Sequence, residues 1–174
     1  MNKPKKENVT LKSMKNAEPG KLNKTVWDYH STSGEGDNEV VHNNKITLES
    51  TERYHSDLTD RLKELVPMLS HVWGEKFKGE ELSEVSGISL SGTEETRGVI
   101  ITGKRKAKGG KMAQNSHRIN FSGTTYGFEK ELEKICDEIA DEVYEYYYEN
   151  KVGEAGVTLF TVDEKPKTGK KKAA

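Results

Sequence analysis

Apolar positions recur along this chain at two spacings. From about Ser56 to Trp73, Leu58, Leu62, Leu65, Val66, Leu69, Val72 and Trp73 stand three or four residues apart, which predicts a helix with one buried stripe. A second such stretch, about Thr125 to Glu149, carries Phe128, Leu132, Ile135, Cys136, Ile139, Val143, Tyr146 and Tyr147 on one stripe. Ser56 suits the N-cap of the first helix, and Thr124 or Thr125 that of the second. Pro67 lies inside the first pattern and predicts a kink or break near Leu65–Val66, because it lacks a backbone donor and crowds the preceding turn. Elsewhere the spacing is two, the mark of strands. Val26–His30 begins one, and Glu39–His42 and Lys45–Glu49 follow with Asn43-Asn44 as a hairpin turn. Glu84–Ser91, the β-branched Val99–Thr102 and the half-buried His117–Phe121 come next, and Val157–Thr161 is a weak last candidate. The expected fold is α+β, with an antiparallel or mixed sheet of about five strands and two helices packed on one face, in the order β-β-α-β-β-β-α. No internal repeat is visible in the sequence.

Composition changes this picture at the ends. Charged residues make up 33% and hydrophobic residues 32% of the 174, and the apolar shortage is local. Residues 1–24 hold seven lysines against Glu7 and Glu18, and such a segment buries too little to offset its ordering entropy. The expected organisation is a disordered basic tail over 1–24, a single domain over 25–162, and a second disordered basic tail over 163–174. Trp27 and Phe121 are expected in the core.

Charge then supplies the sharpest candidate chemistry. Lys104, Arg105, Lys106, Lys108 and Lys111 crowd eight residues without an acid, flanked by Gly103, Gly109 and Gly110. At the tip of a hairpin they would form a basic finger along a phosphate backbone, and Arg118 lies on the strand that leaves it. The plain alternative is a solvated turn. The second helix has the opposite sign, with nine acids between Glu129 and Glu149 against Lys130 and Lys134. Its outer face would repel nucleic acid. It suggests a second reading, a protein-docking surface built from Tyr144, Tyr148, Glu138, Glu142 and Glu145, since tyrosines four apart share a helix face.

Little points to catalysis. His30, His42, His55, His71 and His117 are scattered without metal-ligand spacing. Cys136, the only cysteine, falls on the apolar stripe and reads as a buried, inert thiol. No phosphate-cradling glycine loop is present. Neither cofactor nor metal is expected. A lone cysteine suits a reducing compartment, the N-terminus has no apolar secretory segment, and no apolar run approaches the ~20 residues that span a bilayer. The expected setting is therefore cytoplasmic, in a bacterial or phage-infected cell, without membrane contact.

Two stretches, GISLSGTEETRGVIITGKRK and INFSGTTYGFEKELEKICDEIADEVYEYYYENK, resemble small bacteriophage- and prophage-encoded proteins over residues 85–150. The shared features are structural, and the resemblance carries over no activity and no site; it implies a phage or mobile-element gene. The leading expectation is a non-enzymatic accessory protein that binds nucleic acid, single-stranded DNA included, through the basic hairpin and tails. The alternative is an inhibitor or adaptor, for instance an anti-defence protein, that engages a protein partner through the acidic helix.

Overall fold

The computed structural model describes residues 4–18, 21–33, 40–74, 82–107 and 109–153. Its elements run β1 (Val9–Lys15), β2 (Asn23–Ser33), β3 (Val40–Ser50), α1 (Ser56–Trp73), β4 (Leu82–Ser91), β5 (Gly98–Ala107), β6 (Gly110–Asn115), β7 (Ile119–Asn120) and α2 (Glu129–Tyr148). The fold is α+β. All strand pairs are antiparallel, the sheet order is β3-β2-β1-β4-β5-β6, and the two-residue β7 adds to β5. Apart from β7, the chain is one topological unit used twice, three meandering strands followed by a helix. The first strands of the two units, β1 and β4, pair antiparallel at the centre of the sheet. The sequence shows no trace of this repetition, because only the burial pattern is shared.

β1 and the start of β2 overturn the disordered tail expected over 1–24. Leu11 and Met14 are 2% and 3% exposed and belong to the core. Their spacing of three conceals a strand. A register shift between Leu11 and Ser13 inserts an extra residue and returns both side chains to one face. β3 is also continuous. Asn43 and Asn44 pair with His30 and Tyr29 inside an eleven-rung ladder, so they form no turn, and β2 and β3 are joined instead through residues 34–39. The lysine segment is likewise strand: β5 runs on to Ala107 and β6 returns along it. The half-buried strand expected over His117–Phe121 shrinks to β7. Val157–Thr161 and the basic segment from Lys165 lie outside the described residues.

α1 and α2 pack together on one face of the sheet, α1 mainly over β4 and α2 over β1. Leu58, Leu62, Leu65, Met68 and Leu69 of α1 meet Leu132, Ile135, Cys136, Ile139 and Val143 of α2 in the core. Burial pushes the Cys136 thiol up to about 12, which keeps it protonated and unreactive at neutral pH. Trp27 and Phe121 are buried as expected. α1 passes through Pro67 without interruption; its packed residues on both sides of the proline outweigh one missing hydrogen bond. Its N-cap is His55, whose Nδ1 accepts from the Asp57 amide, not Ser56.

α2 is capped by neither threonine. Its N-cap is Phe128, with no side-chain bond, and Glu129, 3% exposed, takes that part. Its carboxylate accepts the Tyr126 amide at 2.8 Å. That N–H first, then its own amide and those of Gly127 and Thr125, hold Glu129 below the ordinary carboxylate range. The folded state thus favours the ionised form. The stabilisation is complete above the unfolded value of about 4.3 and fades as pH falls through the lower folded value. Glu129→Gln is therefore expected to melt lower than wild type at pH 7, with the gap narrowing as pH falls below about 4.3, as read by circular dichroism.

Candidate nucleic-acid interface on the open sheet face

Cross-strand partners share a face, so the register sorts the side chains into two sets. One row, Leu48–Thr25–Met14–Ile88–Ile101, lies under the helices. The next, Glu49–Lys24–Lys15–Gly87–Thr102–Asn115, lies on the face that the helices leave open. Along that open face stand Lys12, Lys15, Lys24, Lys45, Lys104, Lys106 and Lys111, against Asp28, Glu49 and Glu84. Some of this charge is spent internally: Lys12 pairs with Asp28 at 3.2 Å and Lys24 with Glu49 at 3.1 Å.

The lysine hairpin is only partly the finger that its sequence suggests. Lys104, Lys106 and Lys111 share the open face, whereas Arg105 alternates to the other side, and Lys108 lies outside the described residues. Lys104 is an anchor. Its side chain is 14% exposed, and its ammonium sits 2.8 Å from Glu84 and 3.5 Å from Glu18. Burial opposes its charge, but Glu84 and then Glu18 outweigh that and raise its pKa. Lys106 and Lys111 stand directly opposite each other, both exposed. Like charges so placed repel, and an anion laid between them would relieve the repulsion. Lys111 is eased on one side only, by Glu84 at 3.6 Å.

Arg118 is not available to a ligand in the manner expected. Its guanidinium donates to the carbonyls of Ser91 and Thr96, to Ser91 Oγ and to Asn120 Oδ1, closing the turn between β4 and β5. The fork of five donors suits this work and leaves the group pinned.

A cleft of about 520 Å³ opens on the same face, where the β1–β2 connection passes over the sheet. Lys15, Lys21, Lys24 and Lys104 stand around it with a single acid, Glu18, and Leu22, Val26 and Ala113 line its apolar part. Leu22 is 51% exposed. Lys21 first, and Lys104 after it, hold Glu18 below the usual carboxylate range. The arrangement offers cations around an aliphatic patch, with no aromatic ring among the described lining residues. Reading residues 1–24 as a disordered tail counted Lys12, Lys15, Lys21 and Lys24 only as loose charge and missed their fixed place at the sheet. The signal was present in Val9–Lys15, where Lys12 and Ser13 separate Leu11 from Met14.

The alternative docking site is not assembled. Tyr144 is 4% exposed, packs edge-on against Trp27, and donates its hydroxyl to the Pro4 carbonyl at 2.9 Å. Tyr148 is half-buried against Trp27 and Tyr144. Both belong to the contact between α2 and the sheet, which is why they share a face. Glu142 and Glu145 accept from Lys151 at 2.7 and 2.9 Å, and Glu138 pairs with Arg61 at 3.1 Å. Lys6 on Asp141 and Arg97 on Asp137 and Glu133 extend the same neutralisation along the helix.

Among the described residues no three His, Cys, Asp or Glu side chains converge as a metal site, and no helix is long and apolar enough to cross a membrane. No family model, no curated protein and no solved structure matches the chain.

Proposed function

We propose that this protein is a binding module for single-stranded nucleic acid, which lies across the open face of the sheet. One observation carries the reading: charge is segregated by layer. Among the described residues, lysines on the open face of the strands outnumber acids by seven to three, with Lys21 and Glu18 adding one of each at the cleft, while α2 on the other face carries eight acids from Glu129 to Glu145 against its own Lys130 and Lys134, in part neutralised by Lys6, Arg61, Arg97 and Lys151. A polyanion approaching such a molecule is oriented before it touches. Lys15, Lys45, Lys106 and Lys111 are the exposed cations that would meet phosphates, and Lys104 with Glu84 would hold the hairpin in place. The aliphatic patch of Leu22, Val26 and Ala113 between the cations favours a single strand over a duplex, because only unpaired bases expose their apolar faces to such contact.

The test is fluorescence anisotropy of a labelled single-stranded oligonucleotide. Binding at micromolar protein or tighter in about 50 mM salt is expected, falling steeply by about 200 mM, with duplex a weaker competitor. Absence of binding at the lower salt would overturn the reading.

A further inference from the structure

β3 is the long edge of this sheet. Among the described residues, nothing pairs with its outer side. Natural edges are guarded by shortness, bulges, proline or charged side chains, lysine above all. The opposite edge strand, β6, is short, with six residues. β3 has eleven residues, no proline and no register shift against β2; its guards are the charges of Lys45 and Glu49, which repel a partner only where they do not meet their opposites.

Its second half is self-complementary. The residues read Lys45-Ile46-Thr47-Leu48-Glu49, which is a palindrome in chemistry about Thr47. We infer that β3 is a homodimer seam, pairing antiparallel with β3 of a second copy on a two-fold axis at Thr47. In that register Lys45 stands opposite Glu49 of the second copy, and Ile46 opposite Leu48 of the second copy, each twice. Lys45, Thr47 and Glu49 are exposed, and Ile46 and Leu48 are half-buried.

The contacts within each chain extend the match. Lys45 is registered on Asp28, and Glu49 on Lys24 at 3.1 Å. Across the seam the charges would then alternate as Asp28, Lys45, Glu49, Lys24, the last two from the second copy, and repeat in reverse on the other side of the axis. Competing registers are worse. Directly opposed residues must share a face, so the centre moves freely only between residues of β3. Centring on Lys45 or on Glu49 opposes like charges. Centring on Ile46 sets Leu48 against Asn44, and centring on Leu48 sets Ile46 against Ser50, which leaves apolar side chains facing polar ones. Among these five centres Thr47 alone satisfies both faces. The result is one continuous sheet with the two open faces side by side.

The inference does not depend on the nucleic-acid reading, and its test uses the full chain without nucleic acid. Light scattering after size exclusion, from about 1 to 200 µM, should show the mass doubling with concentration. Lys45→Glu alone puts a carboxylate against Glu49 of the second copy, and Glu49→Lys alone puts an ammonium against Lys45. Each variant should require at least tenfold more protein to dimerise. An equimolar mixture of the two variants restores both opposite-charge pairs and should dimerise about as readily as wild type. Both changes lie on exposed side chains, and circular dichroism checks that the fold is retained. A wild type that stays monomeric throughout would overturn the inference and leave the edge to an extended segment of a different protein. So would a dimer indifferent to the single changes, or a mixture that does not recover.

Discussion

Reversing Lys15, Lys106 and Lys111 together to glutamate is expected to weaken single-strand binding on the order of a thousandfold at about 50 mM salt, and to flatten the salt dependence by a slope of about 2. Each phosphate contact on a single strand releases roughly 0.7 of a counterion, worth close to a factor of ten at that salt. The three lysines are exposed and come from both units of the sheet. Fold is expected to survive. Surface substitutions of this kind typically shift stability by no more than about 0.5 kcal/mol, and positions 106 and 111 remain a like-charge pair as before. Glu84 keeps its closer partner, Lys104. The control is Lys130→Glu with Lys134→Glu on the outer side of α2, both highly exposed, which should leave affinity within about threefold once net charge is allowed for by the salt series. Equal losses from the two sets would mean that binding follows net charge alone, and the open face would lose its claim.

Gly87→Val is expected to destabilise the protein by about 3 kcal/mol or more, at the upper end of overpacking. Strand propensity argues for the opposite sign, since valine is favoured in sheets and glycine is not. Geometry decides. β1 and β4 meet over only three residue pairs, Ser13 with Ser89, Met14 with Ile88 and Lys15 with Gly87. A Cβ at Gly87 would stand 2.5 Å from the Met14 carbonyl oxygen and 3.4 Å from the Lys15 Cα. These are backbone atoms and cannot swing aside as a side chain would. Relief requires the two strands to part, and this seam is the sheet's only join between its two three-stranded halves. Against a typical total of about 5–15 kcal/mol, such a loss moves the urea midpoint far below that of wild type. Ser89→Val, an exposed open-face position on the same strand, should unfold within about 0.5 kcal/mol of wild type. A Gly87→Val protein as stable as that control would show that the seam is looser than the backbone approach implies.

The two helices were legible because their stripes hold 3.6-residue spacing for eighteen and twenty residues, and short-range periodicity survives any tertiary arrangement. Leu58, Leu62, Leu65 and Leu69, and Leu132, Ile135, Cys136, Ile139 and Val143, are buried where that spacing put them. The α+β class followed from the same patterns, as did the core positions of Trp27 and Phe121.

Three errors have one source, which is that strand identity depends on partners distant in sequence. Val9–Lys15 looked like tail because a bulge broke its alternation, and only pairing with β2 and β4 makes Leu11 and Met14 core. Asn43-Asn44 looked like a turn because asparagine accepts positive φ, yet both asparagines are rungs opposite His30 and Tyr29. Tyr144 and Tyr148 looked like an exposed pair, and Trp27, more than a hundred residues earlier, claims them. The amino-acid sequence by itself determined the helices, the class of fold, the basic hairpin and the acidic helix, since each depends on residues a few positions apart. Tertiary structure decided how those charges are used. It fastened Arg118 into a turn and Lys104 to Glu84, neutralised much of α2 with Lys6, Arg61, Arg97 and Lys151, and gathered lysines from both ends of the described chain onto one face. Electrostatic energy depends on separation in space, and in a sheet the separation is set by strand order and register.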